Sequence, residues 1–258
     1  AYDDDGCGSM GGPSKITFTP TVTGDYDLLL DQYNCLSNQI DMDMVITLVS
    51  TGGGGGNVLH IPVVVHVVYK NASENISDAQ IQSQIDALTR DYRKLNTDFA
   101  NLPAVFQPLG ADMLIDFCLA SVDPNGNPTT GITRTSTTTP SFSQTVEVKC
   151  SANGGIENWN PQNYLNMWVC DLSGSLLGYA TFPDQLTTSP QLDGVVIDYQ
   201  YFGTINATPP FDKGRTATHE VGHWLNLRHI WGDSFCGDDF VSDTPTQEQA
   251  NGGCPTFP

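Results

Sequence analysis

The sequence feature that most constrains the structure of this chain is a group of three histidines and a glutamate within eleven residues. His219 and His223 are four residues apart, so on a helix both imidazoles face one side and can reach one ion. Glu220 follows the first histidine and would project beside the ion, where it can take a proton from bound water. Histidines are also found as satisfied core or surface residues. The chain holds only five, and three in one short stretch favour a metal site.

The third histidine requires a sharp turn. His229 comes six residues after His223, so the chain must leave the helix to reach the same ion. Glycine usually occupies such a turn because φ is positive, and here the residue is Asn226, which also enters the left-handed region readily. The spacing predicts zinc held by three neutral imidazoles with one position open for water. For His60 and His66, in or beside a predicted strand, we expect structural roles.

The net charge of the chain restricts which partners it can have. There are 29 acidic and 10 basic residues, net −19, which argues against nucleic acid or an anionic membrane as partner. The acidity is typical of solubility outside a cell or of bound calcium, and both interpretations stay open. We expect no membrane span, because no run of about 18 apolar residues occurs.

The seven cysteines contain no C-x-x-C pair and favour disulfides in an oxidising compartment. Residues 1–5 lack the features of a signal peptide, so we expect a secreted protein whose signal has been removed. Cys7 can pair with Cys35 or cap the zinc as a thiolate, and both remain open.

Five consecutive glycines, Gly52 to Gly56, predict a domain boundary. We expect a small β-rich module over residues 1–51, with strands at 15–20 and 42–49, then a linker over 52–57. Residues 58–258 would form the catalytic domain. There, strands are predicted at 61–69, 113–120, 164–172, 177–182 and 194–201, with a long connection over 123–163.

Two helices are predicted in that domain. The first begins after Ser77 with a capping box to Gln80, and one face carries apolar residues at helical spacing: Ile81, Ile85, Leu88, Tyr92 and Leu95. The second begins near Gly214 and carries the histidines. The order of elements predicts an α+β fold, a twisted mixed sheet packed on helices.

Around the histidines the sequence resembles the pappalysin family of metzincin proteases, especially its secreted bacterial members. The resemblance covers about residues 58–258 and extends over 131–134, 177–180, 215–225, 228–233, 238–245 and 253–255. It implies a zinc metalloendopeptidase with a metzincin fold, acting on protein or peptide substrates. It also implies a calcium site, for which Asp239, Asp243 and Thr244 are the candidate ligands. The edge that binds substrate as an added strand would be Leu177, Gly178, Tyr179 and Ala180.

One departure from that family is large. Metzincins carry a methionine turn beneath the zinc, after the third histidine, whereas the five methionines here all precede His219. We therefore expect the C-terminal subdomain to be absent from this chain, with a C-terminal fragment of the same precursor as a candidate partner. By the same resemblance, Cys236 and Cys254 would pair with cysteines further on, and pairing with each other is the alternative.

Three functions remain in competition at this point. The first is a secreted zinc endopeptidase with Glu220 as general base. The second is a structural or adhesive protein that keeps the protease fold, which the missing turn and the extra β-module motivate. The third is a metalloenzyme with a non-peptide substrate.

Overall fold

The computed structural model describes residues 58–104, 106–242 and 244–250. The predicted β-module and linker, with Cys7 and Cys35, lie outside these residues, as do Asp243 and Cys254. The described chain contains six strands and two α-helices. They are β1 (Leu59–Tyr69), α1 (Asp78–Tyr92), β2 (Ile115–Leu119), β3 (Ile132–Ser136), β4 (Leu165–Cys170), β5 (Gly178–Ala180), β6 (Val195–Asp198) and α2 (Arg215–Trp224).

The strands form one mixed sheet in the order β2-β1-β4-β6-β5, with β3 also paired to β1. Strands β2 and β3 lie parallel to successive halves of β1, and β4 and β6 continue the parallel pairing. Only β5 is antiparallel, and it is the last strand beside β6. The predicted mixed sheet is confirmed, and β5 is left with an edge that no described strand covers.

The core explains why β1 is central. Its alternate residues Val63, Val65 and Val67 are fully buried and pack against Ile81 and Ile85 of α1 in one apolar cluster. The opposite face packs under the long connection, where the largest buried side chains are Trp168 and Phe142. Both faces of β1 are therefore covered, as its continuous apolar sequence predicts.

Helix α1 differs from its prediction at both ends. Ser77 accepts the Gln80 amide as expected, but the Gln80 side chain donates to the carbonyl of Phe202 at 2.9 Å instead of completing a capping box. Leu95, predicted on the buried face, is 62% exposed. The helix ends at Tyr92 because Lys94 takes a left-handed φ of 52° and turns the chain away.

The polar connection from 123 to 163 contains a strand that the sequence did not predict. Strand β3 has the sequence Ile-Thr-Arg-Thr-Ser and pairs with Val65 to Tyr69 of β1.

Cys118 on β2 is disulfide-bonded, and the free cysteines among the described residues are Cys150, Cys170 and Cys236. Cys254, the alternative partner of Cys236, lies outside the described residues. No described helix has the length and apolarity that crossing a membrane requires.

Candidate metal centre and active site

The two helical histidines come from α2, whose buried face holds it against the sheet. Ala217 and Val221 are fully buried in the main core. This orientation turns His219 and His223, which lie on the opposite side, toward the open surface. Their Nε2 atoms are 3.0 Å apart.

The turn to the third histidine is a Schellman motif with Asn226 in the left-handed position, at φ 75°. The Asn226 amide donates to the carbonyl of His223 at 2.8 Å, and the Leu227 amide donates to that of Gly222 at 2.9 Å. The predicted role of Asn226 is thereby met in geometry. The turn brings the Nε2 of His229 to 3.2 Å from those of His219 and His223.

The three nitrogens fit one zinc ion. Donors about 2.0–2.1 Å from a tetrahedral zinc lie about 3.3 Å from one another, close to the separations here. Among the described residues, this trio forms the one cluster of three or more His, Cys, Asp or Glu side chains with metal-ligand spacing. A cation held between the three nitrogens would relieve the repulsion of lone pairs that point toward one another. Burial, with the neighbouring imidazoles, lowers the pKa of His219 and favours its neutral, metal-binding form.

Two further contacts fix how the imidazoles are turned. The Nδ1 of His223 lies 2.7 Å from the carbonyl of Leu227, and the Nδ1 of His229 lies 2.5 Å from the Asp233 carboxylate. Each Nδ1–H is thus a donor, which leaves Nε2 as the lone-pair atom toward the ion. Trp231 stacks on His229 with the rings 4.3 Å apart and nearly parallel. The sequence interpretation missed this role of Asp233, although its spacing of four residues from His229 was the available signal.

Glu220 lies inside the site and beside the sheet edge. It is only 7% exposed, and burial raises its pKa to about 7. Gly178 of β5 approaches so closely that an added Cβ would stand 3.0 Å from the Cγ of Glu220 and 2.9 Å from the carbonyl oxygen of Val196. The glycine therefore lets the edge strand lie directly over this carboxylate.

The predicted substrate edge consists of half-buried residues on the outermost described strand. Gly178, Tyr179 and Ala180 form β5, and Leu177 precedes it with its carbonyl bound to the Asp198 amide. The Tyr179 hydroxyl donates to the carbonyl of Thr145 on the face away from Glu220. Helix α2, which carries His219 and His223, packs against β5.

Buried polar groups tie this edge to α2. The indole nitrogen of Trp224 donates to both oxygens of buried Asp193, at 3.1 and 3.2 Å. Lys149, nearly fully buried, donates to Thr181 and to the carbonyl of Leu192. Burial lowers the pKa of Lys149 to about 8. These long-range contacts hold the strand and helix in register, and no local sequence signal predicts them.

A second network joins α2 to α1. Thr218 donates to the Asp91 carboxylate at 2.8 Å and its carbonyl accepts the Tyr92 hydroxyl at 3.1 Å. Arg215 pairs with Asp91 at 2.6 Å. Next to these contacts lies a cavity of about 500 Å³, with mainly apolar walls, that also contains the three histidines.

The calcium candidates are only partly within the described chain. Asp239 is buried, and its Oδ1 accepts the Val241 amide at 3.0 Å. Thr244 is half-buried and its amide donates to the carbonyl of Val241. Asp243 lies outside the described residues, so the calcium site remains a prediction.

Sequence and structure comparisons define the family. The model described as Pregnancy-associated plasma protein-A, of the peptidase M43 family, matches residues 152–254. An extracellular metalloprotease of Pyricularia oryzae is 31% identical over 207 residues, covering 77% of this chain and 61% of that protein.

Solved structures extend the comparison to the fold. Mature mirolysin of Tannerella forsythia, in complex with a cleaved peptide, matches with a TM-score of 0.76 and 56% identity, covering 79% of this chain and 77% of that one. A promirolysin mutant from the same organism matches equally well and is 68% covered. The fold and site define a metzincin, and the chain belongs to the pappalysin family of that class. It spans about three fifths of the Pyricularia relative.

Proposed function

We propose that this chain belongs to a secreted zinc endopeptidase that cleaves protein or peptide substrates. One observation carries the proposal: three imidazole nitrogens converge at zinc spacing beside a buried carboxylate, Glu220. His219, His223 and His229 would hold the ion. When bound, zinc acts as a Lewis acid toward the scissile carbonyl and lowers the pKa of water.

The protein's own residues would transfer the proton and orient the substrate. Glu220 takes a proton from the attacking water and hands it to the leaving amine, a task suited to a carboxylate whose pKa lies near neutrality. Leu177, Gly178, Tyr179 and Ala180 offer main-chain groups along the uncovered edge of β5, which orient an extended peptide. The short approach of Gly178 to Glu220 supports a position of that peptide over the base.

We also propose calcium at Asp239, Asp243 and Thr244. Asp239 is a buried carboxylate, and no described ion pair supplies it with a cation. A buried charge of this kind needs compensation, and oxygen-rich loops suit Ca²⁺. Calcium should raise the melting temperature of the protein, and Asp239→Asn should remove most of that increase. An increase of the same size in the variant would contradict the assignment.

The proposal also includes the division into domains, secretion of the protein and a further segment below the zinc. Residues 1–51 would form a separate β-module, 52–57 a linker and 58–258 the catalytic domain, so limited proteolysis should first cut within 52–57. Secretion is supported by the extracellular relatives and the disulfide at Cys118. A segment with a methionine turn, such as a C-terminal fragment of the same precursor, would complete the floor below the zinc. The open apolar cavity beside the histidines would accept it.

A casein assay with and without a chelator separates this function from a structural or adhesive role. We expect cleavage by the protein as isolated, loss of cleavage with 1,10-phenanthroline, and recovery on adding zinc. A zinc-loaded protein that cleaves neither casein nor a mixed peptide library would refute the endopeptidase proposal.

A further inference from the structure

An arginine stands in the wall of the zinc cavity, clamped by two aromatic rings. The guanidinium carbon of Arg228 lies 5.2 Å from the centre of the Phe182 ring and 5.3 Å from that of Phe240. Phe182 in turn lies 5.3 Å from the His223 ring. The same cavity contains Arg228 and all three histidines. Arg228 is itself exposed, so the two rings leave this cation accessible beside the metal centre.

The charge of Arg228 is not used within the described chain. Arg93, Arg134 and Arg215 each form an ion pair with an aspartate, whereas no described Asp or Glu pairs with Arg228. Arg90 also lacks such a pair, but no described ring contacts it and it lies outside the cavity. In a chain with 29 acidic and 10 basic residues, an accessible cation without a described ion pair, next to the candidate metal centre, favours an anion from outside.

The position of β5 relates Arg228 to a substrate peptide that could supply such an anion. Gly178 of β5 lies beside Glu220, and Phe182, beside Arg228, follows two residues after β5 ends, with its backbone still extended. At about 3.3 Å a residue, a peptide paired with the edge of β5 covers the distance in about four residues. Residues an even number apart point to the same face, so a substrate side chain can reach Arg228 while the scissile bond lies over Glu220.

We propose that Arg228 recognises an aspartate or glutamate of the substrate, within about four residues of the cleaved bond on the side that runs toward Phe182. The inference rests on the proposed peptidase function and adds its substrate class: peptides with a carboxylate at one fixed position. The rings position the guanidinium and leave its edge N–H groups free for the carboxylate.

Quenched fluorescent peptides with one cleavable bond test this directly. Glu or Gln is placed in turn at each of four positions on either side of the bond, and kcat/KM is compared within each pair. At one position the Glu peptide should be preferred about fivefold, despite the net charge of −19, and about 0.5 M NaCl should reduce that preference.

Two variants test whether Arg228 is the residue responsible for the preference. Arg228→Gln should bring the Glu/Gln ratio to about one, whereas Arg90→Gln, which removes the same charge elsewhere, should keep the wild-type ratio. If every ratio is near one in the wild type, or if Arg228→Gln lowers cleavage of both peptides equally, the inference is overturned. The second result would mean that the contacts of Arg228 with the two rings only stabilise the local structure.

Binding separates this inference from the proposed catalysis. Calorimetry with the Glu220→Ala protein should show the same roughly fivefold preference for the Glu peptide, and Arg228→Gln on that background should abolish it. A wild type that cleaves neither peptide would refute the peptidase function, while a preference in binding would still support Arg228. Equal binding of both peptides, or no binding, overturns the recognition role.

Discussion

His66 makes the fold sensitive to acid in a way that can be calculated. Its imidazole is fully buried in β1, with Nδ1 at 2.8 Å from the Thr133 hydroxyl and Nε2 at 3.0 Å from the Asn166 amide oxygen. Burial lowers its pKa to about 4, against 6.5 in an unfolded chain. Between these values the unfolded chain binds a proton that the folded protein excludes, so stability falls as the pH decreases.

The size of the effect follows from the two pKa values. Below pH 4 the full penalty is about 3.4 kcal/mol, and at pH 4.5 it is about 2.5 kcal/mol. At pH 7.5 the term is close to zero, because the imidazole is neutral in both states. His66 alone should therefore reduce the free energy of unfolding by about 2.5 kcal/mol between pH 7.5 and 4.5.

Urea unfolding of the wild type and of His66→Gln at both pH values measures this term. The variant loses packing at every pH, but its stability should fall about 2.5 kcal/mol less than that of the wild type on going to pH 4.5. Taking the difference between the two proteins cancels the other titrating groups, including the zinc ligands. His60→Gln on the same strand should keep most of the acid dependence, because the buried imidazole remains. Equal losses in the wild type and His66→Gln would refute the reasoning.

Three other substitutions test the construction of the site. Gly178→Ala should lower kcat by about 10- to 100-fold with zinc still bound, since its methyl would displace Glu220 or β6; a kcat within twofold of wild type would contradict this. Asp233→Asn should weaken zinc binding by about 10- to 100-fold in a chelator competition, because His229 loses its carboxylate, while Asp238→Asn should not. Asn226→Val should reduce the unfolding free energy by about 1–2 kcal/mol or more, whereas Asn226→Gly should be nearly neutral; equal effects would argue against a left-handed requirement.

Features set by local pattern could be predicted from the sequence. The β-branched run of β1, the Ser77 cap of α1 and the histidine spacing of α2 each contain their own signal. The remaining strands were predicted one to three residues too long at their ends, because neighbouring loop residues share their composition. At β6 the cause is specific: the Asp198 side chain accepts the Gln200 amide and begins a 3-10 turn.

Features set by distant contacts could not be predicted. Strand β3 is polar and short, and it exists because β1 has a free edge beyond the end of β2. The clamp on Arg228 needs Phe182 and Phe240 from two other segments. Asp193 accepts from Trp224 at the end of α2, and Lys149 donates to the neighbouring carbonyl of Leu192; neither residue has a recognisable motif.

The central claim is that Glu220 moves the proton while the three histidines alone hold the metal. It is tested most directly by measuring peptide cleavage and zinc content together in the Glu220→Ala protein. We expect about one zinc per chain, as in the wild type, and a loss of kcat/KM of at least about 1,000-fold. Cleavage near the wild-type rate at full zinc occupancy would contradict the account.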